Sequence, residues 1–347
     1  MIPHNKPSLG KGEIEAVTEV IKSGFIAQGV KVKELEKKLS YLIGKTYCVC
    51  VSSGSAALFL TLRALGIKHG DEVIIPSYTC SALWHAVKSN NAIPVLADIE
   101  KETFNLDPED VKKKITKKTK AIIFPHMFGQ PGFIKEITDY GIPVIEDIAQ
   151  SLGAKIEEKQ TGYYGQITVV SFYATKFIAA GEGGAVLTND HRIYKKIIDM
   201  REYDEKEKLT SRFNYKMTDI EAAIALKQLE KLTTFIKKRQ KIYTEYKNIL
   251  KQYLQIPNIG IKSFEPNFFR VIAYHPDLSP EEIMTEALKM GITIRKPVFK
   301  PLHKYSSDTT LPVTDKAWNS QFSLPIYPTL RRRDLKRILQ FLERHYV

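Results

Sequence analysis

Apolar residues in the first part of the chain switch repeatedly between helical and strand spacing. Ile14, Val17 and Ile21 recur at three and four and predict a helix over 12–23; Val32, Leu35 and Leu39 predict another over 31–42. Short runs follow at 47–51, 72–75, 93–97, 121–124 and 143–146. Several are β-branched and apolar on successive residues, which suits strands buried on both faces. Helical segments fall between them at 56–65, with Gly66 as a C-cap candidate, and at 80–88, 108–115 and 133–140. Strands joined by helical crossovers predict an α/β fold, a parallel-rich sheet with helices on both sides. Two more strands, 166–172 and 184–188, have a short connection that allows antiparallel pairing, and a helix over 191–200 follows.

From 219 to about 254 the spacing is helical, with a broad stripe through Ile220, Ala223, Ile224, Leu226, Leu229 and Leu232. This segment is expected to leave a large unit of residues 1–235 and enter a smaller one of residues 236–347. There the pattern predicts a strand at 269–273 and a helix at 280–290 behind the cap Ser279, with Glu282 completing a capping box. A strand at 292–295 and a final helix at 330–344 complete it. Residues 299–318, with Pro301, His303, Tyr305 and Pro312, resist regular assignment.

With 347 residues, 43% of them apolar, the chain can bury a large core. Lys and Arg total 52 against 39 Asp and Glu, an excess of 13 that could attract anionic ligands. Much of it lies in runs at 112–114 and 117–118, which read as a solvated face. No basic patch is interleaved with aromatics and no zinc-finger spacing occurs, so neither nucleic-acid binding nor a metal site is expected. The cysteines, Cys48, Cys50 and Cys80, include no CxxC pair; the first two alternate along one strand and read as buried thiols. No uninterrupted apolar stretch approaches membrane-spanning length, and the expectation is a cytoplasmic protein without a membrane partner.

In open α/β sheets, ligands bind beyond the carboxyl ends of the strands. Three features fall there. In Ser52-Ser53-Gly54-Ser55-Ala56-Ala57 a strand turns on glycine into a helix, whose free N–H groups and the Ser55 hydroxyl would seat a phosphate; a serine that simply caps the helix fits equally. Asp147 ends a strand, as a cap or ion-pair partner would, or as the carboxylate that keeps a pyridinium nitrogen protonated. Gln150 comes within reach of the same place if a helix starts at Asp147. Lys176, at the end of Ser171-Phe172-Tyr173-Ala174-Thr175-Lys176, precedes Gly181-Glu182-Gly183-Gly184 in a turn between strands. It is either a surface lysine or a Schiff-base nucleophile tuned by desolvation and a nearby cation.

These stretches, with Gly70-Asp71-Glu72-Val73-Ile74-Ile75-Pro76-Ser77, Val144-Ile145-Glu146-Asp147-Ile148-Ala149-Gln150-Ser151, Phe213-Asn214-Tyr215-Lys216-Met217-Thr218-Asp219 and Ser323-Leu324-Pro325-Ile326-Tyr327-Pro328, occur in the order found in a known family. The chain resembles the DegT/DnrJ/EryC1/StrS nucleotide-sugar aminotransferases, fold-type I pyridoxal-phosphate enzymes, from about Pro7 to Leu342. The resemblance implies a large domain with a mostly parallel seven-stranded sheet and a smaller C-terminal α+β domain. It implies that Lys176 carries pyridoxal 5'-phosphate covalently and moves the proton, and that Asp147 pairs with the ring nitrogen. Gln150 would lie by the ring; Gly54, Ser55, Ala56 and Ser171 would hold the phosphate, joined by Asn214 of a partner subunit in a homodimer with shared active sites. His126 and His303 match positions lining or supporting the substrate side.

Two departures stand out. Cys80 replaces a ring-stacking aromatic, and Lys216 replaces an arginine, giving up a bidentate fork for a point charge. The implied reaction moves an amino group from glutamate to a nucleotide-linked keto sugar in polysaccharide or lipopolysaccharide synthesis. Relatives acting on a cyclitol or other ketone, or a homologue without turnover, are the competing readings.

Overall fold

The computed structural model describes residues 1–258, 260–305 and 309–346. After helices α1 (Lys11–Ser23) and α2 (Val30–Ile43) come strands β1 (Tyr47–Val51), β2 (Glu72–Pro76), β3 (Ile93–Ala97), β4 (Thr119–Pro125) and β5 (Val144–Asp147). Helices α3 (Gly54–Ala64), α4 (Ala82–Ser89), α5 (Pro108–Lys114) and α6 (Ile134–Thr138) connect them. A hairpin of β6 (Lys155–Ile156) and β7 (Lys159–Gln160) precedes β8 (Ile167–Ser171), β9 (Gly184–Thr188) and α7 (His191–Arg201).

Seven of these strands form one sheet in the order β1-β9-β8-β5-β4-β2-β3. The block from β3 to β8 is parallel, while β9 runs antiparallel to both β8 and β1. The short β8–β9 connection, which carries Lys176, thus reverses the chain as its length suggested. Strand periodicity sorts β1 between two cores: Val49 and Val51 pack on the α3 side, Cys48 and Cys50 on the α2 side. Both thiols are buried and free.

Helix α8 (Asp219–Glu230) starts at a capping box of Thr218 and Glu221, and α9 (Leu232–Leu250) follows after a break at Lys231. Asp219 also caps a second helix. Its carboxylate accepts N–H groups from Gly29 (2.8 Å), Lys31 (3.1 Å) and Val32 (3.0 Å) at the start of α2, which lacks a side-chain cap of its own.

The C-terminal part contains β10 (Leu254–Ile256), β11 (Phe264–Glu265), β12 (Val271–Tyr274), α10 (Pro280–Lys289), α11 (Pro312–Ser320), β13 (Gln321–Leu324) and α12 (Arg332–Tyr346). Strands β10, β12 and β13 make an antiparallel sheet, whereas β11 joins β6 and β7. Ile242, Tyr246, Ile283, Phe322, Ile338 and Phe341 pack around the antiparallel sheet. Ile2 joins them: it pairs with Ile292, donating to Gly291 O at 2.7 Å and accepting from Thr293 N at 3.0 Å. A division at 235/236 would leave Ile2 with the first unit; its packing lies in the second.

Some local expectations change. In α1 the buried residues are Glu13, Ala16 and Val20, while Ile14 and Ile21 are 68% and 58% exposed. Residues 292–295 form only isolated bridges, to Ile2 and Ser323, because this stretch is pinned at its two ends by different neighbours. The unassigned stretch 299–318 holds a 3₁₀ turn, Leu302–Tyr305, and helix α11, which Pro312 starts from the first-turn position where its missing N–H costs nothing. Part of that stretch, residues 306–308, lies outside the described residues.

Candidate active site

At the carboxyl ends of the parallel strands lies a cavity of about 320 Å³, lined among others by Gly54, Ser55, Cys80, Asp147, Ser171 and Lys176. These side chains come from four separate connections. Asp147 ends β5, Ser171 ends β8, Lys176 follows in the turn, and Gly54 and Ser55 open α3.

The opening of α3 answers the question of the serines. Ser53, not Ser55, caps the helix, its hydroxyl accepting from Ala56 N at 3.0 Å. That leaves the Ser55 hydroxyl exposed at the cavity, and the N–H groups of Gly54 and Ser55 have no acceptor among the described residues. Ala56, with its N–H already used and its side chain buried, does not line the cavity. Glycine at 54 is sterically required: an added Cβ would stand 2.7 Å from Ser171 Cβ. Gly184 is equally tight, since a Cβ there would meet Ser53 carbonyl atoms at 2.6 Å. The close approach of β8, β9 and α3 is what makes one small cavity from three elements.

Asp147 is buried, and Oδ1 accepts a single backbone bond, from Ala149 N at 2.9 Å. Burial pushes its carboxyl above the usual range; the Ala149 bond and the charge on Lys176 pull the other way and do not fully offset it. Such a carboxylate gains from a cation brought against it. Lys176 is half-buried, its backbone held by Lys176 N to Tyr173 O at 2.8 Å, with Asn5 Nδ2 donating to Thr175 O at 2.8 Å beside it.

Pyridoxal phosphate needs a lysine amine, a carboxylate for its ring nitrogen and an anion seat. Lys176, Asp147 and the unpartnered N–H groups of Gly54 and Ser55 supply all three in one cavity, so the residues fit that group. Cys80, exposed, stands on the wall, and Tyr173 is the only aromatic lining the cavity among the described residues. Glu182 and Val169 line it too and escaped the sequence reading; for Glu182 the signal was its place inside the glycine-rich 181–184 stretch.

Other expected site residues are not among those lining this cavity, though His126 N donates to Asp147 O at 3.1 Å. After β5 the chain makes a turn rather than a helix, so Gln150 does not line the cavity; its Oε1 accepts from Phe128 N at 2.8 Å. His126 is buried: Nδ1 accepts from Gly132 N (3.1 Å), so Nε2 carries the proton and donates to Glu146 Oε1 (2.8 Å). His303 is buried between Ser77 Oγ (2.6 Å) and Asp315 Oδ1 (3.0 Å). Asn214 is exposed, between Phe213 and Tyr215, which stack on each other and meet Phe59 edge-on. Lys216 pairs with Glu202 (2.9 Å) and Asp204 (3.2 Å), bonds that raise its pKa, first through Glu202.

The chain is 33% identical to GDP-perosamine synthase of Escherichia coli O157:H7, over 99% of this chain and 98% of that protein. It is 30% identical to spore coat polysaccharide biosynthesis protein SpsC of Bacillus subtilis (strain 168), over 98% of this chain and 95% of that protein. The PLP-form structure of Spr1654 from Streptococcus pneumoniae superposes with a TM-score of 0.91 at 26% identity, covering 99% of this chain and 98% of that one. Residues 7–343 match the DegT/DnrJ/EryC1/StrS aminotransferase family, and the chain belongs to that family as a pyridoxal-phosphate-dependent sugar aminotransferase.

Proposed function

We propose that the enzyme moves an amino group from L-glutamate to a keto sugar carried on a nucleotide, working as a homodimer whose active sites are shared. The observation that carries the reading is the convergence of Lys176, Asp147 and the open α3 start on one cavity. A nucleotide-linked product is named in one relative, GDP-perosamine synthase. The net charge of +13 favours a diphosphate-bearing substrate.

When bound, the cofactor supplies an electron sink for the carbon that loses or gains its proton. Lys176 would hold the cofactor aldehyde and move the proton at that carbon. Asp147 holds the proton on the ring nitrogen; its buried, under-bonded carboxyl is disposed to take a cationic partner. Gly54, Ser55 and Ser171 orient the phosphate. Exposed Asn214 is available to a neighbouring subunit, and so are the bare apolar residues Ile14, Ile21 and Phe25, the last 81% exposed.

The test is a half-reaction screen. Enzyme loaded with pyridoxamine phosphate should regain the absorption of the pyridoxal form with a keto-sugar nucleotide, and not with the free keto sugar or a cyclitol ketone. Equal recovery with a free ketone would turn the reading to the non-nucleotide class. Borohydride should fix the cofactor's mass to the peptide containing Lys176; labelling elsewhere would refute that assignment.

A further inference from the structure

Three guanidinium groups, those of Arg239, Arg270 and Arg295, gather near the N-terminal residues, and none has a carboxylate within ion-pair distance among the described residues. Arg201 and Arg212, by contrast, each hold one. Arg239 is engaged structurally: Nη1 donates to Phe269 O (3.0 Å) and Ile326 O (2.9 Å), and the group lies 4.8 Å over the Phe177 ring. Arg270 directly precedes β12, with Nη1 3.4 Å from His4 Nε2. The Nε atoms of both Arg239 and Arg270 are buried without a partner. His4 Nε2 lies 3.0 Å from Ser323 Oγ, and Ser323 exchanges backbone bonds with Arg295 at 2.7 and 3.3 Å. His4, Arg270, Ser323 and Arg295 therefore form one connected cluster, and the exposed Arg295 opens it to solvent.

Among the described residues no carboxylate pairs with the cluster's charge. Burial lowers the Arg239 guanidinium to about 9, with repulsion from Arg270 added; burial lowers that of Arg270 to about 10, with Tyr78 opposing and Arg295 adding to the shift. Burial, then Arg270 and Arg295, push His4 far below its usual value, so it serves as a neutral acceptor. Buried cations of this kind are costly until an anion reaches them. Neighbours of the cluster tie it to the Lys176 turn: Asn5, next to His4, holds the Thr175 carbonyl, and Arg239, whose charge also reaches His4, covers Phe177.

We infer that Arg270 and Arg295 form the receptor for the carboxylate of the amino-acid donor. Guanidinium forks match a planar carboxylate in two parallel bonds. The donor's α-carboxylate is attached to the carbon whose amine reacts, so its receptor must border the lysine that does the chemistry. A sugar nucleotide's diphosphate lies several bonds further from the aminated carbon. The inference rests on the amino-acid-donor reading above and names the side chains that would recognise it.

Glutarate, which has two carboxylates but neither amine nor ketone, binds without reacting and is the probe. Calorimetric titration of the cofactor-loaded enzyme should show glutarate binding that weakens about 10–100-fold in Arg270→Gln and Arg295→Gln, and less in Arg270→Lys. Arg295 is exposed, so its variant reads the site even where Arg270→Gln folds poorly. Absence of glutarate binding to the wild type, or equal affinity in the variants, overturns the inference. So does loss of GDP binding with glutarate binding kept, which assigns the cluster to a diphosphate. Arginine-dependent glutarate binding without any spectral change on adding glutamate keeps the receptor and removes the proposed donor instead.

Discussion

Glu146 and Asp147 are neighbours at the end of β5, yet strand geometry sends them to opposite faces of the sheet. Glu146 is saturated. One oxygen accepts from His126 and Gly162 N, the other from Gly165 N at 2.7 Å, while Lys45 holds the carbonyls of Tyr163 and Gly165 nearby. Burial alone would raise its pKa; the His126 bond and then the two glycine N–H groups outweigh it and leave the carboxyl below its usual value. Asp147 has one backbone bond and a raised pKa. Two buried acids thus separate into a finished structural joint and a half-finished site. What distinguishes them is the number of donors left to find, a property invisible to burial alone.

The sharpest way to break this contrast is Asp147→Asn. Amine transfer should fall about 10²–10⁴-fold with circular dichroism unchanged; wild-type turnover would remove Asp147 from the chemistry. Glu146→Gln should do the reverse. Its single amide oxygen cannot serve three donors, and the urea-derived unfolding free energy should drop by about 2–4 kcal/mol. A variant as stable as the wild type would show that the joint bears no strain. Ser55→Ala should weaken cofactor retention in equilibrium dialysis by about 5–10-fold, one neutral hydrogen bond's worth; no change would leave the phosphate to the backbone N–H groups.

The smallest effect concerns pH. The unfolded Asp147 carboxyl titrates near about 3.9, and folding raises it, so its contribution to stability is present below that pH and lost as pH rises through the folded value. Cofactor-free Asp147→Asn should therefore melt with the wild type near pH 4 and about 1–3 °C above it at neutral pH. A constant difference across the range would mean that the carboxyl is not strained by burial.

The alternation of strands and helices was legible because buried parallel strands leave unbroken apolar runs, and the Lys176 turn because two such runs sit close together. The facing of α1 was not legible. Its small residues Ala16 and Val20 pack against Ala223 of α8, and the larger Ile14 and Ile21 are left outside. Nor could sequence tell Ser53 from Ser55 as the cap, since both precede the helix expected over 56–65 and only backbone geometry selects the acceptor. For Gln150 the helical step that the sequence left open is replaced by a turn, and its amide oxygen accepts from Phe128 N. The arginine cluster had no sequence signal at all, for His4, Arg239, Arg270, Arg295 and Ser323 are brought together only by the tertiary fold.

The pairing of Ile2 with Ile292 has a consequence for how the protein is made. A ribosome releases Ile2 long before its partner exists, so the second hydrophobic core cannot seal until most of the polypeptide has emerged. The segment that carries His4 and Asn5 is therefore fastened late, and the neighbourhood of Lys176 becomes complete only when residues 2–5 meet the second core.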